Sequence, residues 1–265
     1  MLTATVSATA VAQSEDEPTD VFARFRKEAE DYKMINEDTK TVVPMKQQSL
    51  LNWNNPARNG ETGSVFLWTD NDRPVAIGTC FIYTYDREER RKHAFHILCD
   101  DTLNVAHRDR PIWNPKAGGV VFKKLPAAPT PGINPAQRNR QLRSLARQFE
   151  VTVTQKNGRK EQCRLVPQPL YRYESADGTN VGAIFSFAVG TDPEALLLLN
   201  VANDADGQPA WHYGFARFTF YPLEAKIGEE SVWNVEQSES LTSSILARRD
   251  YQQEPYITFR AEWLD

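Results

Sequence analysis

Cysteine is scarce. Three thiols in 265 residues, at Cys80, Cys99 and Cys163, are too few and too scattered for a disulfide scaffold or a CxxC metal site. Their odd number leaves at least one free or joined to another chain. Cys80 and Cys99 lie in consecutive predicted strands, so an antiparallel register either brings them together or leaves both as buried thiols. Long apolar runs are also missing. The longest, such as Ala195 to Asn200, fall far short of the ~20 residues that cross a bilayer. Neither sign of charge is in excess: 31 basic and 35 acidic residues give a net charge of -4. That balance excludes the positive field of a non-specific nucleic-acid or anionic-membrane binder. The strand runs contain no phosphate-cradling loop and no G-x-S-x-G elbow. No repeat at a fixed period is visible, which disfavours solenoids and propellers. No cofactor motif appears.

What is present is enough apolar material, 40% of the chain, for a substantial core without staples. Residues 149 to 222 read as an antiparallel β-meander, with strand-like runs separated by Asn157-Gly158, Asp177-Gly178, Asp192-Pro193 and Asp206-Gly207. Ser64 to Thr69 and Val75 to Tyr85 form a predicted hairpin around Asp70-Asn71-Asp72-Arg73, Asp86 to Lys92 a charged turn, and His93 to Cys99 a strand. Val181 to Val189 is apolar on both faces, as a central covered strand should be. Helices are predicted over Val21 to Asn36, capped by Asp20, and over Ala136 to Phe149, entered through Asn134-Pro135. Gln48 to Trp53 is a short first strand, Asp100 to Asn134 is irregular, and Tyr256 to Trp263 is a half-buried strand. The expected fold is mainly β, a curved antiparallel sheet or two-sheet sandwich of nine to eleven strands with two covering helices.

Residues 1–19 read as a signal-peptide remnant or disordered tail with an acidic spacer, and 20–265 as a single β-rich domain. Met1 to Ala12 is uncharged and ends Ala10-Val11-Ala12, the A-x-A pattern that precedes signal cleavage, although a basic n-region is missing. Export is therefore expected.

Three stretches are familiar together: Gly63 to Thr69 with Arg73-Pro74, Leu165 to Tyr173, and Gly190 to Leu198. They resemble a group of uncharacterised, exported bacterial proteins over residues 50 to 235. The resemblance implies export and carries over no activity, ligand or site residue.

Aromatic side chains on strands are the leading candidates for function, because rings with a few polar groups hold sugars or peptides on β-sheets. Trp68, Tyr83, Tyr171, Arg172, Trp211 and His212 are the expected ligand-binding residues of a non-enzymatic module for a glycan, peptide or envelope partner. The rival expectation is a metal-dependent hydrolase built on His93, His96, Asp100 and His107, since imidazole with carboxylate suits a catalytic metal. Its weakness is spacing: His93 and His96 point to opposite faces of a strand. A third reading is an assembly protein that pairs through an exposed edge such as Tyr256 to Trp263. Asn203 to Gly207 has the look of a calcium loop but lacks the later glutamate, so a β-turn explains it.

Overall fold

A computed structural model describes residues 20–58, 60–116, 118–174, 181–238 and 253–264. Asp20 caps helix α1 (Val21–Glu30), its carboxylate accepting from the Phe22 N–H at 3.0 Å. The helix ends six residues earlier than the sequence predicts. Tyr32, Met34 and Asn36 are buried in alternation, which is the period of a strand, so β1 (Tyr32–Asn36) begins there. Next come β2 (Val42–Val43), β3 (Leu51–Asn55), β4 (Glu61–Asp70), β5 (Arg73–Tyr85), β6 (Glu88–Ile97), β7 (Leu103–His107) and β8 (Arg110–Trp113). They form two sheets, in the orders β2-β1-β7-β8 and β3-β4-β5-β6.

After the short β9 (Lys123–Lys124) the same plan is repeated. Helix α2 (Pro135–Ala146) leads into β10 (Phe149–Thr154), β11 (Lys160–Leu165), β12 (Tyr171–Glu174), β13 (Val181–Val189), β14 (Asp192–Asn203), β15 (Pro209–Arg217), β16 (Leu223–Ile227) and β17 (Glu230–Val235). Their pairings are β11-β10-β16-β17 and β12-β13-β14-β15, joined through β11 and β13 into one strongly curled sheet. The closing strand β18 (Tyr256–Arg260) lies beside β6 as β9 lies beside β15.

The correspondence extends to single residues. Tyr32 faces His107 and Met34 faces Val105 in the first half; Phe149 faces Ile227 and Val151 faces Ala225 in the second. The β4–β5 register shifts between Trp68 and Thr69, with Val75 the extra residue on β5, and the β13–β14 register shifts between Phe187 and Ala188, with Glu194 the extra residue on β14. Gly63 opposite Trp53 has its counterpart in Gly182 opposite Tyr173. The chain is thus an internal duplication, which corrects the expectation of no repeat. The period is near 120 residues and few identities survive, among them Phe66 with Phe185, Pro74 with Pro193, and Trp113-Asn114 with Trp233-Asn234.

Each half has its own core, one around Phe25, Phe66, Phe95 and Trp113, the other around Leu145, Phe185, Leu197 and Phe215. A third core, with Val65, Leu67 and Ile77 from one half and Ile184, Leu196 and Leu198 from the other, packs the two together. The fold is mainly β and antiparallel with two helices, as expected, but the strands number eighteen among the described residues because many are short.

Several local expectations are corrected. Only Asp86 and Arg87 form the predicted charged turn, with φ of 54° and 64°; Glu88 to Lys92 belong to β6. Two left-handed positions in succession suit a tight hairpin turn, and Asn71-Asp72 does the same between β4 and β5. Asp192 and Pro193 start β14 rather than separate strands. The region 100–134 contains the β7–β8 hairpin, and Cys80, Cys99 and Cys163 are all buried free thiols. The Asp177-Gly178 separator lies outside the described residues.

Candidate functional site

Strands β5, β6 and β18 of the first half and the start of β14 with the Phe218 to Tyr221 segment of the second surround a pocket of about 730 Å³. Lys92 is its centre. On β6 it lies opposite Phe81 of β5 and Arg260 of β18, so the strand register fixes all three. The Lys92 Nζ is 4.5 Å from the Tyr83 ring centroid, 5.1 Å from Phe220 and 5.7 Å from Phe81. Aromatic faces attract a cation but supply no hydrogen-bond acceptor of carboxylate strength. Burial pushes the Lys92 pKa down to about 8; Glu61 opposes this and the neighbouring Arg260 adds to it. Two cations therefore stand side by side, one of them desolvated. Glu61 and Asp192 favour the Lys92 charge from across the pocket without bonding to it.

The opposite wall is acidic and mostly satisfied. Arg58 binds Asp192 at 2.7 Å and Glu194 at 2.5 Å. Burial works against charge on Arg58, but the two carboxylates outweigh it and hold it protonated. Burial likewise raises the pKa of Asp192 and Glu194, with Arg58 pulling the other way. Glu61 is raised too, by burial first. Thr79, Thr219 and Thr258 line the same space; the Thr258 hydroxyl donates to the His93 carbonyl at 3.1 Å and Thr219 bonds Glu194.

The sequence-predicted ligand residues do not converge. Trp68 and Trp211 are each 1% exposed and sit in the separate cores of the two halves, so neither presents a face to a ligand. Tyr83 does line the pocket. Tyr171 lies elsewhere, stacked on Tyr173 and hydrogen-bonded to Asp72, with exposed Arg172 beside it in β12. His212 pairs with Lys124 of β9, the place in the second half that Lys92 and Arg260 occupy in the first. Lys92 was missed because Asp86 to Lys92 reads as a charged turn, and Arg260 and Phe220 because only the folded chain brings their segments to Lys92. The available signal was the two-residue spacing of Lys92 and Ala94, which places both on the pocket face of one strand.

The proposed metal set is also divided. His96 is buried on the opposite face to His93, donates from Nδ1 to the Ile97 carbonyl at 2.6 Å, and faces Tyr256. His93 instead meets Glu28 and Tyr32, and His107 flanks Tyr32 from the other side, with Asp31 3.7 Å away. Asp100 follows β6 in the connection to β7. Asp204 Oδ1 accepts from the Asp206 and Gln208 N–H groups, as in an Asx turn.

No family model, curated protein or solved structure matches the chain. No described helix is long and apolar enough to cross a membrane.

Proposed function

We propose that this protein is an exported, non-enzymatic binding module that takes a short acidic glycan in the Lys92 pocket. The observation that carries the reading is the Lys92 ammonium, enclosed by Tyr83, Phe81 and Phe220 beside Arg260, with no carboxylate bonded to it among the described residues. A uronate carboxylate would give Lys92 the direct partner it lacks. Flat aromatic faces suit the C–H faces of a sugar ring, and Glu61 suits its hydroxyl groups. Glycoside hydrolysis needs two working carboxyl groups across the bond. Arg58 ties up Asp192 and Glu194, which leaves Glu61 without a second, and this favours binding over cleavage.

Calorimetric titration with trigalacturonate, maltotriose and a tripeptide bearing a free C-terminal carboxylate tests the reading. Saturable heat with trigalacturonate and none with maltotriose is expected. Tighter binding of the tripeptide would make the ligand a peptide instead. Export rests on the Ala10-Val11-Ala12 pattern. A mature N-terminus at Gln13 in protein recovered outside the cytoplasm supports it, and a cytoplasmic chain retaining Met1 removes it.

A further inference from the structure

The duplication provides an internal reference for what the fold requires at each position. In the second half, Leu145 of α2, Phe149 of β10, Leu199 of β14 and Tyr213 of β15 pack in one core. The register places Tyr32 where Phe149 stands, and the cross-strand pair Cys80 and His93 where Leu199 and Tyr213 stand. Glu28 precedes Tyr32 by four residues as Leu145 precedes Phe149. Stability alone is therefore met at this site by hydrocarbon and one phenol. The first half instead sets a half-buried carboxylate against a buried thiol and a buried imidazole, and removing polar groups from water is costly without compensation.

These groups converge. One donor atom from each of Glu28, Cys80 and His93 lies within 4.8 Å of the other two, the only such trio among the described residues. Their supporting contacts are those of metal ligands. Glu28 Oε1 is held by Arg91 at 2.9 Å, which leaves Oε2 toward the imidazole, 2.8 Å from His93 Nε2. The other ring nitrogen, Nδ1, lies 2.5 Å from the Tyr32 hydroxyl. Histidine ligands are usually oriented by such a partner on the second nitrogen. Bonds of about 2.0–2.3 Å around a tetrahedral ion set donor atoms about 3.5 Å apart, so Glu28 Oε2 and His93 Nε2, 2.8 Å apart without an ion, separate to admit one.

We propose that Glu28, Cys80 and His93 bind one divalent transition-metal ion of the zinc type, with Tyr32 and Arg91 orienting the ligands. Thiolate, imidazole and carboxylate together suit Zn²⁺ and disfavour Mg²⁺ or Ca²⁺, which take oxygen ligands. The site differs from the His93, His96, Asp100 and His107 set, of which it shares only His93, and it is independent of the glycan pocket.

Cobalt(II) is the probe, because a thiolate ligand gives it an intense sulfur-to-metal charge-transfer band. Titrating the full chain is expected to produce that band with saturation at one ion per chain and displacement by Zn²⁺. Cys80→Ser should abolish it, Cys99→Ser should leave it, and Tyr32→Phe should keep it while weakening affinity about 10- to 100-fold. Glu28→Gln serves as the ligand variant if Cys80→Ser does not fold, and is expected to lower affinity at least as much as Tyr32→Phe. Absence of the band in folded wild type, its survival in Cys80→Ser, or unchanged affinity in Glu28→Gln would overturn the proposal.

Discussion

Trp113 and Trp233 hold the same place in the two halves. Each stands opposite the middle residue of the preceding strand, Val105 or Ala225, and each directly follows the bulged residue of its own strand, Ile112 or Val232. A shared irregularity is harder to reach independently than a shared strand order, so the pair marks the duplication as well as any single feature.

The duplicated glycines should be equally intolerant of a side chain. A Cβ on Gly63 would come within 2.6 Å of Trp53, and one on Gly182 within 2.4 Å of the Tyr173 hydroxyl. Gly63→Ala and Gly182→Ala are each expected to cost ~1–3 kcal/mol by overpacking. Urea unfolding checks this, and a shift in one half only would break the equivalence.

Arg58 should matter more for stability than any exposed ion pair. Removing it leaves Glu194, 1% exposed, and the half-buried Asp192 without a counter-charge. Arg58→Ala is expected to cost ~3–5 kcal/mol near neutral pH and less in acid, where the carboxyl groups protonate. Denaturant midpoints at two pH values measure the difference.

His96 predicts one limb of the acid response. Burial pushes its pKa down to about 4, the Ile97 carbonyl opposing and Arg217 assisting. The unfolded chain therefore binds the proton that the folded chain refuses between about pH 6.5 and 4, and this site's contribution to stability falls as pH drops through that window. Relative to wild type, His96→Gln should gain ~3 kcal/mol from pH 7 to pH 4. A difference independent of pH would show that the ring is not held neutral.

Much of this architecture was legible. The hairpin around Asn71-Asp72, the fully buried β13 and the capped helices follow from turn chemistry, two-sided apolarity and cap residues, all of which are local. The duplication was not, because the fold preserves side-chain volume and register while identity drifts: Trp53 becomes Tyr173, and Met34 becomes Val151. The β7–β8 hairpin hid among prolines, since Pro111 sits at an edge strand where no ladder donor is required. The site was least legible. Lys92 and Arg260 are 168 positions apart in sequence, and only the placement of β18 beside β6 makes them neighbours.

Lys92 should carry the mark of a group kept for function at the expense of stability. Its pKa of about 8 lies below the ordinary lysine value, so the folded chain is penalised while the ammonium is charged, and the penalty fades as pH rises from about 8 to 10.5. Lys92→Met should raise stability near pH 7 by on the order of 1–3 kcal/mol, and the gain should shrink across that window. Thermal melts at pH 7 and pH 10 check it.

The most direct test of the account is the dissociation constant for trigalacturonate, measured by calorimetry from pH 6.5 to 9.5 on wild type and on Lys92→Met. The account predicts saturable binding that weakens as pH rises through about 8 and is lost in the folded variant. Binding that is flat across this range and unchanged in Lys92→Met would contradict it.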